Sequence, residues 1–509
     1  MNESMKIVEN GVVVTGDARG RAGNLTVLIK GDRIAEISNR GEMLKTLYPD
    51  AEIISALGKI LLPGFVDAHL HGESFFLRHF TAMKPLARWP REPELKKIFD
   101  FVYRQAQHQD LSTMYRLAYF TALKSGVTTI GEFGFDHLDQ PLSAAFETMR
   151  RADVRGIIGV HNGDQIERCR LLSHHSIRFA LALPAEEDLT TYNLQSTFRA
   201  AATLKWPLLV HAGETKKGLE AVRRNFQTSL IELLRAHHLF EGKIMLMHCA
   251  ALDPLDLDVL ATARVHVVVT PRSIMAKETE APQISEYLSR GIPIVLASDW
   301  GVSDPFDVMR SYIELLRSQG VDIPDGSALI RMVTFEAAKA VGVDDLAGSL
   351  EVGKKADITF VDVSGARFAG ARSRDVNSLL SAFLQEFTSR DVSDVMINGE
   401  FFVRQGQVLT YSEEDLADEG EELMQRLSKH VPPGSIHSTR ENRSHVENRA
   451  GSLRAIVADA HDFEDGFHII PKKPAPVNAE KKVIPLQIEH TKKIELPGKI
   501  KKVFGEEDT

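Results

Sequence analysis

Two histidines flank one leucine where an apolar run ends: Leu61-Leu-Pro-Gly-Phe-Val-Asp-Ala-His69-Leu-His71. Residues two apart on a strand project to the same side, so His69 and His71 face together while Val66, Ala68 and Leu70 face the other way. Two rises put the imidazoles about 6–7 Å apart along the strand, within reach of one metal ion. An isolated His-x-His is ordinarily a surface or core pair. Three further apolar runs, however, stop at residues of the same kind. They are Leu208-Leu-Val-His211-Ala-Gly-Glu214, Met245-Leu-Met-His248-Cys249 and Ile294-Val-Leu-Ala-Ser-Asp299-Trp300. Singly, each reads equally as a satisfied core histidine or a helix-capping aspartate. Jointly with His69 and His71 they imply a metal site. Neutral imidazole and carboxylate suit one divalent ion, zinc with ferrous iron as the alternative, leaving a position open for water. Such an ion lowers the pKa of water toward neutrality. Glu214 lies three residues past His211, beyond the strand end. There it can take a proton from that water and deliver it to a substrate. The plainer alternative for Glu214 is a solvated or capping residue.

These residues need elements to hold them. From residue 61 onward, short apolar runs alternate with longer segments of helical period, such as Leu111–Lys124 and Leu219–His237. The runs are Leu61–Val66, Thr128–Phe133, Arg155–His161, Arg178–Leu183, Pro207–His211, Lys243–His248, Val265–Thr270 and Pro293–Ser298. Eight such units predict an α/β fold, a (β/α)8 TIM-like barrel, over residues 61–345. A doubly wound sheet uses similar units. Polar residues at the ends of many separate runs favour the barrel, whose sites form at the C-terminal ends of its strands.

Residues 1–60 alternate in β fashion, with Gly31-Asp32 as a hairpin turn. The same texture returns over 346–411, where Asn398-Gly399 marks a second hairpin. The two segments are expected to form one composite β-sandwich domain beside the barrel. Residues 412–434 predict a C-terminal helix that ends at Pro432-Pro433-Gly434. Residues 435–509 read as a mobile tail, or as a docking element in which Val483–Ile488 adds a strand to a partner.

Composition narrows the class. The chain has 509 residues and a formal net charge of -9. Nucleic-acid binding is disfavoured, because it needs clustered Lys and Arg. No signal peptide or bilayer-spanning run is evident. Cys169 and Cys249 are the only cysteines. A cytoplasmic, non-membrane protein with a small-molecule substrate follows, and a homo-oligomer is the default.

The combined pattern resembles the amidohydrolase superfamily. It is carried by His69-x-His71, His211-x-x-Glu214, His248 and Asp299, with Pro63-Gly-Phe-Val-Asp67 before them and Gly348-Ser-Leu-Glu-Val-Gly-Lys-Lys-Ala-Asp357 after the barrel. The match is closer to the mononuclear aminohydrolase branch of S-adenosylhomocysteine/methylthioadenosine deaminases, guanine deaminase and triazine hydrolases. The resemblance covers roughly residues 5–410. It implies that His69, His71, His211 and Asp299 hold the metal and that Glu214 shuttles protons. It also implies that His248 orients the water or polarises the developing oxyanion, and that Asp299 helps to deprotonate the water. Binuclear members need a bridging ligand, commonly a carboxylated lysine on strand four. Here that segment, Ser176-Ile-Arg-Phe-Ala-Leu-Ala-Leu-Pro184, has none.

Two loops depart from close relatives. Thr270-Pro-Arg-Ser-Ile-Met275 stands where an Asn-Pro-x-Ser-Asn pattern is common, and Trp300-Gly-Val-Ser-Asp-Pro305 replaces a Gly- and Asn-rich stretch. His161, Arg272 and Trp300 are the expected substrate contacts, with a structural role as the alternative for each. The expected activity is hydrolytic deamination of a purine-like, nucleoside-like or other heteroaromatic amine. The alternatives are imidazolonepropionase-like opening of a cyclic amide, triazine dechlorination, and a non-enzymatic scaffold. Such scaffolds usually lose their ligands, and this chain keeps them.

Overall fold

A computed structural model describes residues 4–82, 84–134, 139–169, 171–369 and 376–429. The tail, the Val483–Ile488 strand and the Pro432-Pro433-Gly434 stop lie outside the described residues.

Eight parallel strands form one sheet in which sequence neighbours are spatial neighbours. They are Phe65–Leu70, Val127–Glu132, Arg155–Val160, Ile177–Ala182, Leu208–Ala212, Ile244–His248, His266–Val269 and Ile294–Leu296. Runs rich in Val, Leu and Ile become strands here because both faces are covered, inside by each other and outside by helices. The sheet closes on itself at the functional end. Leu70 bridges Asp299 in parallel register. The Asp299 amide donates to the His69 carbonyl at 2.8 Å, and the His71 amide to the Asp299 carbonyl at 3.1 Å. Val66, Ala68, Ile157, Ala180, Leu209, Met245, Met247, Val268, Val295 and Ala297 pack in the interior. Ala337, Ala338 and Val341 of the helix Phe335–Val341 join that same cluster. The interior is therefore a packed core, not a pore.

The flanking β segments form two sheets. One has the order Arg33–Ser38, Thr26–Lys30, Met5–Glu9, Glu52–Ser55. The other runs Gln407–Val408, Glu400–Arg404, Val392–Ile397, Ile358–Asp362, Lys59–Pro63, Val12–Val14, Ala22–Asn24. Ile358–Asp362 pairs antiparallel with Lys59–Pro63, joining the N-terminal and post-barrel segments. Val8, Val13, Val27, Leu61, Ile358, Phe360 and Met396 fill the space between the sheets. The Asn398-Gly399 turn has both φ angles positive, at 53° and 79°, as a tight two-residue hairpin of this hand requires.

Three expectations are corrected. The run Leu61–Val66 is not one barrel strand. It divides at Gly64: Lys59–Pro63 belongs to the seven-stranded sheet, and the barrel begins at Phe65. A side chain at position 64 would lie 2.2 Å from the Thr128 hydroxyl, so only glycine lets the chain turn there. Strict alternation also fails in the first barrel strand. Val66 and Ala68 pack in the barrel interior, and Leu70 packs outside. Register shifts between Asp67 and Leu70, and the irregularity re-aims the histidines inward. The segment Leu219–His237 is two helices, Lys216–Phe226 and Leu230–Ala236. Gln227 is left-handed at φ 58°, and the Ser229 side chain caps the second helix by accepting from the Glu232 amide.

The helix that follows these sheets, Glu413–Ser428, starts at Ser412, whose hydroxyl accepts from the Asp415 amide. It docks on the barrel helix His108–Lys124 through Arg426–Asp110 and Arg116–Glu419 contacts. None of the described helices is long and apolar enough to cross a membrane.

Candidate metal and catalytic centre

Five barrel strands or the loops just past them deliver the polar groups to one point. His69 and Asp299 are almost fully buried. The Nε2 of His69 lies 3.1 Å from the Nε2 of His211 and 3.2 Å from Oδ1 of Asp299. The Nε2 of His71 is 3.6 Å from that same carboxylate oxygen. Donor atoms of His69, His71 and His211 lie within 4.8 Å of one another, as do those of His69, His248 and Asp299. Those of His211, Glu214 and His248 form a third such group.

Strand geometry explains part of this. Leu209, Val295 and Ala297 show which face is inward, and His211 and Asp299 continue that alternation. His248 does not. Met245 and Met247 point inward, so a regular strand would send His248 outward. Its φ of 68° ends the strand and turns the ring to within 5.0 Å of His211, centroid to centroid. Asp299 is likewise left-handed at φ 60°. A non-glycine residue held there costs on the order of 1–3 kcal/mol, strain that gathers at functional sites.

Asp299 uses its two oxygens differently. Oδ1 faces the imidazoles, while Oδ2 accepts from Ser273 Oγ at 2.5 Å and from Lys277 Nζ at 2.8 Å. Lys277 also donates to Oε1 of Glu214 at 2.6 Å, and Oε2 of Glu214 lies 3.8 Å from Nε2 of His248. Nδ1 of His248 pairs with the Thr270 hydroxyl at 3.2 Å. Behind this shell, Asp67 accepts from the Ser298 amide at 3.1 Å and the Ser303 hydroxyl at 2.5 Å, fixing the loop that carries Asp299.

The electrostatics suit ligation. Burial, with the neighbouring histidines, holds His211 well below the usual imidazole range, and burial pushes His69 down to about 4. Both are thus neutral, with lone pairs available. Burial opposes charge on Asp299, yet Lys277 and His69 hold its carboxyl well below the usual range. Glu214 is also shifted down against burial, by His248 and then Lys277. Burial acts to lower His71, but Glu73, with Asp299 and Glu132, raises it.

The sequence-predicted contacts fall around this centre. Trp300 lies 6.2 Å from His71 between ring centroids and donates through Nε1 to Thr81 Oγ1 at 3.1 Å. Arg272 pairs with Asp307 at 2.7 Å and donates to the Trp300 carbonyl at 3.2 Å. His161 is buried one layer back, with Nε2 3.1 Å from the Phe133 carbonyl. Phe133 stands between it and the cluster, stacked on His211 at 4.0 Å.

Sequence reasoning missed Phe133, Ser273, Lys277 and the buried Glu73 and Glu132. Glu73 Oε1 sits 3.6 Å from Nδ1 of His71, where a carboxylate orients a ligating imidazole. Glu132 accepts from the Gly72 amide at 3.1 Å and from the Tyr119 hydroxyl at 2.9 Å. Ser273 and Lys277 did leave a signal. They are four residues apart on the helix Pro271–Lys277 and so share a face, the one that meets Asp299. Removing that cation leaves the buried Asp299 and the half-buried Glu214 without it. Lys277→Met is expected to destabilise the metal-free protein by about 3 kcal/mol, the scale for a broken buried pair. Urea denaturation in the presence of a chelator measures this, and an unchanged midpoint would show that the ammonium holds nothing in place.

Fold and centre together define a parallel α/β barrel with a buried, histidine-rich candidate metal site. A family model described as the amidohydrolase family matches residues 60–402, and the chain belongs to that family, hydrolases acting on carbon–nitrogen bonds. The 5-methylthioadenosine/S-adenosylhomocysteine deaminase of Pelotomaculum thermopropionicum is 28% identical over 418 residues, spanning 79% of this chain and 93% of that one. Among solved structures, an adenosine deaminase of Xanthomonas campestris with bound zinc has a TM-score of 0.75 at 19% identity. It covers 84% of this chain and 100% of its own. The zinc complex of the atrazine chlorohydrolase TrzN of Arthrobacter aurescens has a TM-score of 0.70 at 18% identity, covering 82% of this chain and 99% of its own. Both share the fold.

Proposed function

We propose that this protein is a metal-dependent hydrolytic deaminase of a purine-like, nucleoside-like or other heteroaromatic amine, releasing ammonia. The observation that carries the reading is the convergence of three imidazoles and Asp299 on one point, with the ionised Glu214 beside it. The donor set fits one divalent ion. The imidazoles of His69 and His211 are neutral, their Nε2 atoms face each other at 3.1 Å, and an anionic oxygen lies alongside. His69, His71, His211 and Asp299 would hold it. Zinc is favoured by the nitrogen-rich ligands and by the zinc bound in the two similar structures, with ferrous iron as the alternative. Bound there, the ion supplies Lewis acidity that makes water a nucleophile near neutral pH.

The protein's own groups do the rest. Glu214 starts ionised, so it can accept one proton from the attacking water and pass it to a ring nitrogen, while the second water proton, taken from the oxygen by Asp299 as the C–N bond breaks, goes by way of Glu214 to the leaving amine. His248 has a buried Nε2 with no hydrogen-bond partner. If the Thr270 hydroxyl donates to Nδ1, the ring carries its proton on Nε2, directed at the oxygen that develops charge. Asp299 is the second proton acceptor. Lys277 keeps both carboxylates anionic, and Phe133 and Trp300 form apolar walls. The deaminases among the relatives support the amine as substrate.

Product analysis across purines, pterins, pyrimidines and triazines tests this. Ammonia release with an intact ring is the expected outcome. A new carboxylate would show ring opening instead, and chloride release would show dechlorination.

A further inference from the structure

We infer that the rim between the first and the last two barrel strands carries an anion subsite, built on Arg78 with Arg272, that binds a carboxylate or phosphate group on the substrate. The identity of the ring bearing that group rests on the deaminase reading above; the subsite itself does not.

The argument starts from the helix Ser74–Thr81, which begins three residues after His71. Ser74, Arg78 and Thr81 stand at positions i, i+4 and i+7, one face of that helix. The two ends of this face hold the loop after strand eight. Ser74 Oγ accepts from the Gly301 amide at 2.8 Å, and Thr81 Oγ1 accepts from Trp300 Nε1 at 3.1 Å. Arg78 lies between them. From the other side, Arg272 reaches the same loop at the Trp300 carbonyl. Two guanidinium groups thus flank Trp300, whose ring is itself adjacent to His71.

Arg78 is half-buried, yet it lacks the carboxylate that cations out of water normally have. Its guanidinium lies 3.6 Å over the Phe75 ring, and its Nη1 is fully buried with no hydrogen-bond partner. No carboxylate among the described residues pairs with it. Arg155, by contrast, is buried against Asp357 at 3.0 Å, and Arg272 has Asp307. Burial, and then the like charge of Arg272, push the Arg78 guanidinium down to about 10. A desolvated guanidinium without an anion is costly, and its planar fork matches carboxylate and phosphate. An amine-bearing ring at the metal centre with an anionic arm crossing Trp300 supplies what Arg78 lacks. The implied substrate class is a heteroaromatic amine with a carboxylate or phosphate arm.

Calorimetric titration of the metal-loaded protein with malonate and with inorganic phosphate, at constant ionic strength in chloride, tests the subsite without any assumed ring. Wild type should bind at least one of them. Arg78→Met should weaken that binding about 10-fold or more, and Arg78→Lys should fall between. Ligand-free Arg78→Met should melt no lower than wild type, since an unpaired, half-buried charge has been removed. A matched series, 9-propyladenine, 9-(2-carboxyethyl)adenine and 9-(2-phosphonoethyl)adenine, then separates carboxylate from phosphate by kcat/KM. One charged arm should be favoured about 10-fold or more in wild type and lose that advantage in Arg78→Met. Failure of both anions to bind wild type, equal binding by Arg78→Met, or equal use of charged and uncharged arms would each overturn the subsite. Anion binding through Arg78 with no ammonia from any ring would leave the subsite standing and remove the deaminase reading.

Discussion

Glu214→Gln is expected to cut turnover by about 100–10,000-fold, the usual range for an acid–base group, while metal content stays near that of wild type. The amide fills the same space and can still contact Lys277, but it cannot exchange a proton. The two readouts matter together because of where Glu214 stands. It is past the end of strand five, one carboxylate oxygen on Lys277 at 2.6 Å and the other 3.8 Å from His248. It is also close enough to His211 and His248 to form a ligand group with them. A proton shuttle loses rate and keeps metal. A ligand loses both. Full rate in the variant would remove Glu214 from the mechanism altogether. Rates on any accepted substrate, with metal measured by mass spectrometry on the same preparation, separate the three cases.

His211→Ala is expected to lose both metal and turnover. His211 is the single histidine from strand five, and its Nε2 lies 3.1 Å from that of His69. Deleting it leaves two imidazoles and Asp299, one ligand short of the proposed set. It also strips the ring on which Phe133 stacks at 4.0 Å. Part of any fall in stability is therefore packing, and stability alone is a poor readout. The decisive comparison is the rise in melting temperature on adding zinc, since an ion bound only by the folded state stabilises it by mass action. Wild type should show that rise and His211→Ala should not. A full equivalent of zinc bound by the variant would mean that the ligand set is drawn wrongly.

Much of this architecture was legible in the sequence because each strand is a short apolar run that stops at a polar residue. A strand buried on both faces needs such a run, and a barrel builds its site where the runs end. The Asn398-Gly399 and Gly31-Asp32 turns were equally plain, because few residue pairs accept their backbone angles. What escaped was conformation that breaks periodicity. The first barrel strand starts at Phe65 because Gly64 passes tightly against Thr128, a contact between segments far apart in the chain. His248 faces the site through a left-handed residue that no glycine announces, and Gln227 splits a helix in the same way. Lys277 was hidden for another reason. It reaches the centre from a helix rather than a strand end, and only its spacing from Ser273 pointed there.

The central claim is that ammonia release at this centre depends on one divalent ion held by His69, His71, His211 and Asp299. Its most direct test is ammonia release by a single preparation that is assayed, stripped with chelator, assayed again, and reloaded with zinc or ferrous iron. Activity should vanish with the metal and return in proportion as about one ion per chain is restored. Ammonia release that persists in the fully stripped protein would contradict the account.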